Sequence, residues 1–556
     1  MSRCLGVGLL CLSLTACGQT ADLVIQGGAV WTGLSSGAPQ PGAVAIGGGK
    51  ILAVGDSAAV ARYLGARTRV MRADGGLVMP GFADGHTHFI GGGFQLASVD
   101  LRGAATPQEF IRRLKEYARA HKPGEWITGG DWDHTRWAGQ PLPRHEWIDS
   151  VTPDNPVFVS RLDGHEALAN AAAMRAAGIT KDTPTPPGGE VLRDARTGEP
   201  IGIFKDQALD LIGRVEPEPS AEQRDSALAR ALAHAASLGV TATAHMSASW
   251  ADLASYRRLE HAGRLTLRAT LYLPLEHWRD VADTLRRAGR GDDWVKIGGL
   301  KGYMDGSAGS RTAYFVDPYA DSAGYRGLMQ NPERDMRSWV GNADSAGLQV
   351  TVHAIGDHAN ALLLSIYDSV MRAHGPRDRR FRVEHAQHLR PQDIPLFGKL
   401  GVIPSMQPYH AIDDGRWVEQ RIGPVRIKTT YAFRTFLDRG VRLAFGTDWS
   451  VAPLDPMQTI YAAATRATLD GKNPGGWVPE QKITVKEAVE AYTLGSAYAE
   501  FQEKDKGSIT PGKLADLVIL SDDIFSIDPR AIRDVKVTTT LVGGRVVWQS
   551  DTQAAR

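Results

Sequence analysis

Histidine, lysine and aspartate residues stand at or near the ends of apolar runs in the middle of this 556-residue chain. The first of these runs is followed by His86 and His88. Because side chains at i and i+2 of a strand point the same way, both imidazoles can reach one metal ion. Later runs end near four more polar residues: Lys301, His353, His385 and Asp448. Four imidazoles and a carboxylate form a nitrogen and oxygen donor set that suits a divalent metal such as zinc.

The apolar runs predict the elements that must carry these residues. Runs with strand character alternate with helical stretches, the clearest of which is predicted to begin after Ser220, and this alternation is typical of parallel βα units. The strand candidates are 77–82, 240–245, 265–273, 295–303, 348–354, 381–386, 401–406 and 441–446. Eight such units predict an α/β fold, a (β/α)8 TIM-like barrel. Barrel enzymes build their sites at the carboxyl ends of the strands, where the polar residues above are expected to lie.

Two further regions are predicted around this barrel. Short apolar runs separated by turn residues occur at both chain ends, so we expect 22–79 and 496–556 to form one small composite β-sandwich domain. The barrel is then expected over 80–495. About 150 residues separate the first two barrel strands, against the few residues of a usual βα connection. This gap predicts an insertion after the first barrel strand, an inserted subdomain at about 95–218.

Composition excludes several classes of protein. Hydrophobic residues make up 43% and charged residues 22%, which excludes a disordered chain, a coiled coil and a polytopic membrane protein. The 63 Lys and Arg residues balance 62 Asp and Glu residues, so no basic excess indicates a nucleic-acid partner. The cysteines Cys4, Cys11 and Cys17 all precede the apolar runs, which excludes a thiolate metal site further along the chain.

The N-terminus resembles the signal of a bacterial lipoprotein. The apolar stretch Leu5–Leu14 is too short to span a bilayer, and the Cys17 that follows completes a string similar to a lipobox. We expect 1–16 to be a lipoprotein signal peptide and Cys17 to be lipid-anchored, on the periplasmic side of an exported protein. Gly18 after the cysteine favours the outer membrane. An ordinary cleaved signal with an incidental cysteine is the alternative.

The order of the polar residues resembles that of the amidohydrolase superfamily. Three strings narrow the resemblance: LKGYMDGS at 300–307, QPYH at 407–410 and GTDWSVAP at 446–453. They are similar to amidohydrolase family 3, the YtcJ-like metal-dependent hydrolases, which include N-substituted formamide deformylase. The resemblance extends from Leu23 to Trp548, and 507–517 is similar to the usual return of the chain into the terminal β domain. Ser450, where many relatives carry proline, is a departure outside the catalytic set.

The resemblance implies a metal centre at the mouth of the barrel. One ion would be held by His86, His88 and Asp448. A second would be held by His353 and His385, with a carboxylated Lys301 as the bridge between the two. We expect one or two zinc ions per chain, with another divalent metal as the alternative.

The role of Lys301 has two alternatives besides the bridge. A free lysine amine is protonated at neutral pH and is a poor ligand, whereas a carbamate offers two oxygens. Lys301 could instead be a cation that holds the substrate, or a structural ion-pair partner of Asp305.

The chemistry expected of this centre is hydrolysis of a carbon–nitrogen bond other than a peptide bond, most simply in a linear amide. A bound metal lowers the pKa of its water to about 7, and Asp448 accepts the proton as general base. The metal-activated hydroxide attacks the carbonyl, and Asp448 returns the proton to the leaving amine. Three further residues are expected to bind the substrate: His165, Gln407 and His410. A structural loop position is the alternative for His165.

Two other functions remain as alternatives. One is a deaminase or an imidodipeptidase-like amidohydrolase on the same metal centre. The other is a non-catalytic, lipid-anchored solute-binding protein, which the complete set of predicted ligands argues against. The expected partner is a small-molecule amide, with no nucleic acid, and with a membrane only through the lipid anchor. The sequence carries no signal for a particular oligomeric state.

Overall fold

The computed structural model describes residues 19–34 and 37–551. Strands of this part form three sheets: a parallel barrel, a sheet of strands from both chain ends, and a smaller sheet between the first two barrel strands. Within the described residues, no helix has the length and apolar character needed to cross a membrane. The predicted signal peptide 1–16 and the predicted lipidation site Cys17 lie outside the described residues.

The strands alternate with helices through most of the described chain. In chain order the strands are β1 (Leu23–Val30), β2 (Gln40–Gly47), β3 (Lys50–Gly55), β4 (Arg69–Arg72), β5 (Leu77–Pro80), β6 (Phe82–Thr87), β7 (Ile127–Trp132), β8 (Val157–Arg161), β9 (Glu166–Ala169), β10 (Gly189–Arg193), β11 (Pro200–Asp206), β12 (Val240–His245), β13 (Arg268–Pro274), β14 (Val295–Tyr303), β15 (Gln349–Ala354), β16 (Arg382–His385), β17 (Ile403–Met406), β18 (Ala444–Phe445), β19 (Leu517–Leu520), β20 (Val537–Val542) and β21 (Arg545–Gln549).

Helices lie between the barrel strands, on the terminal sheet and in the segment between β6 and β12. In chain order they are α1 (Ser57–Ala61), α2 (Phe89–Gln95), α3 (Pro107–Ala118), α4 (Glu146–Asp149), α5 (Ala171–Ala176), α6 (Asp210–Gly213), α7 (Ala221–Ser237), α8 (Trp250–His261), α9 (Trp278–Ala288), α10 (Glu333–Ser345), α11 (Asp357–His374), α12 (Ile394–Leu400), α13 (Pro408–Asp414), α14 (Val418–Arg426), α15 (Phe433–Asp438), α16 (Pro456–Thr465), α17 (Val485–Glu490) and α18 (Ser496–Ala499). As predicted, α7 begins after Ser220, which forms a capping box with Gln223.

Eight parallel strands form the barrel in the order β6, β12, β13, β14, β15, β16, β17 and β18. Each barrel strand pairs with the next barrel strand along the chain, as repeated βα units require. Two backbone hydrogen bonds join the last strand to the first: Asp448 N donates to His86 O at 2.7 Å, and His88 N donates to Trp449 O at 2.5 Å. The predicted TIM-like barrel is therefore confirmed, and its closing bonds run through candidate metal ligands.

The predicted first barrel strand, 77–82, is wrong in its bounds. Leu77–Pro80 pairs with β19 in the terminal sheet, and the barrel strand is Phe82–Thr87. Both strands are buried, so hydrophobicity alone does not separate them. The chain passes from one sheet to the other at Gly81, where a Cβ atom would lie 2.2 Å from Thr241 Cγ2. Only a residue without a side chain allows this close approach.

Strands from the two chain ends form one continuous sheet, in the order β21, β20, β19, β5, β1, β2 and β3, with β4 paired to β1. Its buried side chains, such as Leu23, Val44, Leu517 and Leu541, form a hydrophobic cluster that joins the two ends. The sheet reaches the barrel through Arg268 on β13, whose Nε lies 2.6 Å from Asp516 Oδ2. This ion pair links the terminal sheet to the barrel wall.

The residues between β6 and β12 contain a separate sheet in the order β10, β11, β9, β8 and β7. Its side chains pack into their own hydrophobic clusters, and Trp132 and Trp137 are among the buried members. The segment between β6 and β12 therefore has a hydrophobic core of its own. Part of this segment lines the cavity at the barrel mouth.

Candidate metal centre

A cavity of about 730 Å³ lies at the carboxyl ends of the barrel strands. The barrel supplies one part of its wall: His88, Lys301, His353, His385, His410 and Asp448. The inserted sheet and its loops supply another part, which includes Asp163, His165 and Asp206. A single site therefore brings together polar residues from distant parts of the chain.

Asp448 lies at the centre of the candidate ligands. Its Oδ1 lies 3.4 Å from Nε2 of His86 and 3.4 Å from Nε2 of His88. Its Oδ2 lies 3.9 Å from Nδ1 of His385 and 3.9 Å from Nε2 of His410. Burial raises the pKa of Asp448, but the neighbouring imidazoles outweigh burial and hold it well below its ordinary value. Asp448 is therefore an ionised carboxylate with a different pair of imidazoles beside each oxygen.

The turn that carries Asp448 is held in an uncommon backbone conformation. Asp448 has a φ of 61°, in the left-handed region that a residue with a side chain seldom adopts. Asp84 on β6 holds this turn, because its carboxylate accepts hydrogen bonds from Thr447 N at 3.0 Å and Thr447 Oγ1 at 2.7 Å. Such conformations persist where the surroundings impose them, and they cluster at functional sites.

A buried carboxylate determines how His86 is oriented. His86 Nδ1 lies 2.5 Å from Glu384 Oε2. Glu384 Oε1 lies 2.8 Å from Arg382 Nε and accepts a hydrogen bond from Thr351 Oγ1. Burial and the Lys301 charge lower the pKa of His86 to about 4, so the ring is neutral. With its proton on Nδ1, facing Glu384, the ring presents the lone pair of Nε2 to the cluster, as metal-binding histidines do.

His385 is oriented by Gln407. His385 Nδ1 lies 2.8 Å from Gln407 Oε1, and Gln407 is fully buried. Gln407 is not among the described residues that line the cavity, and its predicted contact with substrate stays a prediction. His385 has a φ of 74°, which breaks the alternation of β16. Glu384 and His385, neighbours in the sequence, therefore both reach the metal centre.

Lys301 lies against His86 and not against Asp305. Its Nζ is 3.4 Å from His86 Nε2 and 4.8 Å from the ring centroid of Tyr303. Asp305 instead accepts backbone hydrogen bonds, including one from Gly356 N at 2.8 Å. Within the described residues the Lys301–Asp305 ion pair, one of the predicted alternatives, does not form. Burial lowers the pKa of Lys301 to about 8, so the amine is still mostly protonated at neutral pH but has a larger neutral fraction than an exposed lysine.

His353 and His165 pack against each other beside the cluster. Their ring centroids are 4.9 Å apart, and the ring of His353 lies 4.5 Å from that of His385. His353 Nε2 lies 3.2 Å from the carbonyl oxygen of Gly306. His165 Nδ1 lies 2.7 Å from Asp206 Oδ1. Burial lowers the pKa of His165, but Asp206 and nearby acids outweigh burial and raise it.

The donor atoms present fit a divalent cation. Two groups, His86 with His88 and Asp448, and His385 with His410 and Asp448, each offer three ligand atoms within 4.8 Å of one another. Asp448 Oδ1 and His410 Nε2 are buried and lack a hydrogen-bond partner among the described residues. Buried polar atoms are nearly always paired, so the unpaired oxygen of Asp448, beside the imidazoles of His86 and His88, fits a place for a cation.

Two residues of the site escape the sequence-based reasoning. Glu384 precedes a predicted ligand, but strand alternation assigns it to the opposite face. Asp206, which holds His165, lies at the end of β11 in the inserted sheet, where no barrel pattern applies. Only the adjacency of Glu384 to His385 could have drawn attention to it.

Comparison with known proteins agrees with this geometry. The family model described as amidohydrolase family, Amidohydro_3, matches residues 69–548. The chain belongs to amidohydrolase family 3. It is 38% identical over 547 residues to Protein LONG AFTER FAR-RED 3 of Arabidopsis thaliana, covering 96% of this chain and 92% of the relative. It is 27% identical over 522 residues to N-substituted formamide deformylase of Arthrobacter pascens, covering 90% of this chain and 94% of the relative.

A solved structure supports the same assignment. A metal-dependent hydrolase of Pyrococcus horikoshii, itself uncharacterised, aligns with a TM-score of 0.74 and 28% identity over 91% of this chain and 99% of its own. This amidohydrolase is therefore a metal-dependent hydrolase, and its His and Asp groups are candidate ligands for a divalent metal.

Proposed function

We propose that this amidohydrolase hydrolyses a carbon–nitrogen bond other than a peptide bond, in a small linear amide. The observation that carries the proposal is the ionised carboxylate of Asp448 between two groups of imidazoles at a cavity large enough for a small molecule. The name of the Arthrobacter pascens relative, a formamide deformylase, supports a linear amide over a cyclic one.

Zinc is the metal we propose, held by His86, His88 and Asp448. When bound, it polarises a carbonyl group and acidifies a water molecule. We further propose that Lys301 is carboxylated and lies between this ion and a second one. The lowered pKa of Lys301, about 8, supports this proposal because the neutral amine is the form that adds carbon dioxide.

The chain's own residues would then move the proton. Asp448 would accept a proton from the attacking water and return it to the nitrogen of the leaving amine. Its ionised state supports the first step, since only a carboxylate accepts a proton. The buried position of Asp448, 5% exposed, keeps bulk water from competing for that proton.

The substrate would be held between the barrel and the inserted sheet. His165 and His410 both line the cavity, which supports their predicted role in binding the amide. Phe94, Trp126 and Trp417 line other parts of the wall and would pack against an apolar substituent. We propose that this wall decides which substituent on nitrogen is accepted, because its aromatic side chains line the cavity and belong to neither candidate ligand group.

A direct test is a screen of linear amides with the zinc-loaded, full-length protein. Release of a primary amine from N-substituted formamides or acetamides is the expected result, and Asp448→Asn should abolish most of it. His277→Ala, at an exposed histidine with 56% of its side chain accessible, is the matched control and should keep full activity. If the protein instead releases ammonia from an aminated ring and releases no amine from any linear amide, the proposal is wrong and the enzyme is a deaminase.

We also propose that the protein is an exported lipoprotein, anchored at Cys17 on the periplasmic side of the outer membrane. The lipobox-like string supports this location. Cys17→Ser should release the protein from the membrane fraction of the expressing bacterium. Wild-type protein that is found in the cytosol with 1–16 still attached would contradict it.

The domain boundaries are likewise our proposal. We infer that 22–79 and 496–556 form one β-sandwich unit and that the insertion, about 95–218, is a separate subdomain of the barrel 80–495. The shared terminal sheet and the separate hydrophobic clusters of the inserted sheet support this division. Limited proteolysis should cut first near the edges of the insertion. First cuts inside the barrel strands would contradict the division.

A further inference from the structure

A segment with four arginines and no acidic residue lies between α1 and the end of β4. The arginines are Arg62, Arg67, Arg69 and Arg72, and all four are exposed. Two apolar side chains of the same segment, Leu64 and Val70, are each 48% exposed. We call residues 62–72 the basic edge. Exposed arginines around exposed apolar side chains suit a partner that is both anionic and partly apolar, as the surface of a phospholipid bilayer is.

Most of the positive charge on the basic edge is available to an anionic partner. Within the described residues, one carboxylate pairs with the edge: Asp74 Oδ1 lies 3.6 Å from Arg72 Nε. The side chain of Arg72 is still 69% exposed, and an exposed ion pair of this kind is weak. Arg62 donates to the hydroxyl of Tyr63 at 3.0 Å, a contact that leaves its charge in place.

The start of the described chain packs against the basic edge. Ala21 N donates a hydrogen bond to Tyr63 O at 2.8 Å, and Thr68 Oγ1 donates to Ala21 O at 2.7 Å. β4 then runs parallel to β1, and Arg69 N donates to Asp22 O at 3.0 Å beside this pair of strands. The chain therefore enters the terminal sheet directly beside the basic edge.

The proposed lipid anchor is close to this point in the sequence. Cys17 stands two positions before Gln19, the first described residue. Two residues of extended chain span at most about 7 Å. A lipid on Cys17 therefore brings Gln19, and with it the basic edge, close to the lipid headgroups. Charges interact over a Debye length of about 8 Å at physiological salt, so the arginines come within reach of lipid phosphates.

We propose that the basic edge docks on the anionic surface of a phospholipid bilayer, beside the lipid anchor. The arginines bind lipid phosphates, and Leu64 and Val70 enter the headgroup region. Among the described residues that line the cavity, none belongs to the basic edge, so docking fixes the orientation of the protein and not its metal centre. The docking rests on the proposed function only in taking Cys17 as the anchor.

The test measures how close the basic edge lies to lipid in the anchored, full-length protein. Every cysteine of the chain stands at or before Cys17, so an introduced cysteine is the free thiol of the processed lipoprotein. Val70→Cys reports on the basic edge. Val425→Cys, at a valine of α14 that is 77% exposed, is the matched control. Each protein carries a fluorescent label on this thiol and is anchored in phosphatidylcholine vesicles with a spin-labelled lipid as quencher, with or without phosphatidylglycerol.

Quenching should be strong at Val70→Cys and weak at Val425→Cys when the vesicles contain phosphatidylglycerol. It should fall at Val70→Cys when the salt concentration is raised or when phosphatidylglycerol is left out, because both changes weaken the attraction to arginine. Equal quenching at the two positions would overturn the proposal. Quenching at Val70→Cys that is independent of both salt and phosphatidylglycerol would also overturn it.

A charge-neutralised variant tests the arginines themselves. Each basic residue near an anionic surface strengthens the attraction about fivefold, so Arg67→Gln, Arg69→Gln and Arg72→Gln combined should lower the ratio of docked to undocked protein about 100-fold. The charge-matched control replaces three exposed arginines of the barrel helices by glutamine and should leave quenching unchanged: Arg286, Arg334 and Arg372. An equal loss of quenching in both triple variants would overturn the proposal. The salt and lipid dependence at Val70→Cys needs neither variant, so it decides the matter if one does not fold.

The proposed anchor and the proposed hydrolysis are tested separately. The mass of the N-terminal peptide shows whether Cys17 carries lipid. If it does not, the anchor is wrong, and sedimentation of the purified protein with phosphatidylglycerol vesicles replaces quenching. Binding that the arginine variant loses then supports docking, and no binding by wild type overturns it. A protein that docks but hydrolyses no amide would leave this proposal standing and refute the proposed hydrolysis.

Discussion

Glu384→Gln tests whether a buried carboxylate sets the protonation of His86. In the wild type, Glu384 Oε1 faces two donors, Arg382 Nε at 2.8 Å and Thr351 Oγ1, while Oε2 faces His86 Nδ1 at 2.5 Å. A glutamine has one oxygen and one NH2 group, and the two donors bind its oxygen. The NH2 group then faces His86 Nδ1, which must become an acceptor. The proton moves to Nε2, and the nitrogen that faces Asp448 no longer has a lone pair to offer.

The expected loss of metal affinity follows from this move of the His86 proton from Nδ1 to Nε2. Changes to the hydrogen-bond partner of a metal-binding histidine typically cost about 10–100-fold in metal affinity, which corresponds to about 1.4–2.8 kcal/mol. A second effect is on stability, because Arg382 is fully buried and loses its ionic partner. Removing one member of a buried ion pair costs about 3–5 kcal/mol in the free energy of unfolding. The two losses are measured separately.

Metal affinity is measured by competition with a chromophoric chelator, and stability by denaturant unfolding of the metal-free protein. Thr351→Val is the matched control, since it removes one donor to Glu384 but keeps the carboxylate beside His86. It should bind metal nearly as well as wild type. A folded Glu384→Gln variant with wild-type metal affinity would refute the reasoning, because His86 would then not need Glu384 to present Nε2.

Three further predictions concern proton transfer, the bridge and a buried acid. Asp448→Asn should lower kcat by about 10²–10⁴-fold with a smaller effect on KM, because proton transfer occurs in the transition state; near-normal kcat in the amide assay would assign the base elsewhere. Lys301→Ala should lose most activity and recover part of it with a short carboxylic acid, and a fully active variant would exclude the bridge. Burial, opposed by Lys205 and Arg161, raises the pKa of Glu166 from 4.5 to about 7. The neutral carboxyl of Glu166 therefore contributes stability that is fully present below 4.5, its pKa in the unfolded chain, and is lost as the pH rises through about 7. Above this range, the free energy of unfolding of Glu166→Gln should exceed that of wild type by up to about 3 kcal/mol, and near pH ~4 the two should match. Denaturant unfolding measures both, and equal free energies at about pH 8 would contradict this prediction.

Much of the barrel is predictable from local pattern. The expected strands 240–245 and 295–303 agree with β12 and β14 at both ends, and both runs contain β-branched residues, which favour strands. The same signal predicts the first barrel strand at 77–82, which covers β5 and only the first residue of β6, because hydrophobicity does not distinguish two sheets that both bury their residues. The small size of Gly81 marks the junction, but its meaning depends on Thr241, which lies far along the chain.

The ligand types were also visible in the sequence, because each stands where a barrel strand ends. Their partners were not. Glu384 is 298 residues from His86, and His410 comes opposite Asp448 because β17 and β18, the strands that precede them, pair in the barrel. The positive φ of His385 overrides strand alternation, and Gln407 turns inward behind His385 and away from the cavity. Strand and helix periods depend on near neighbours in the chain, whereas the hydrogen bonds that give a histidine its free nitrogen join residues that meet only in the folded protein.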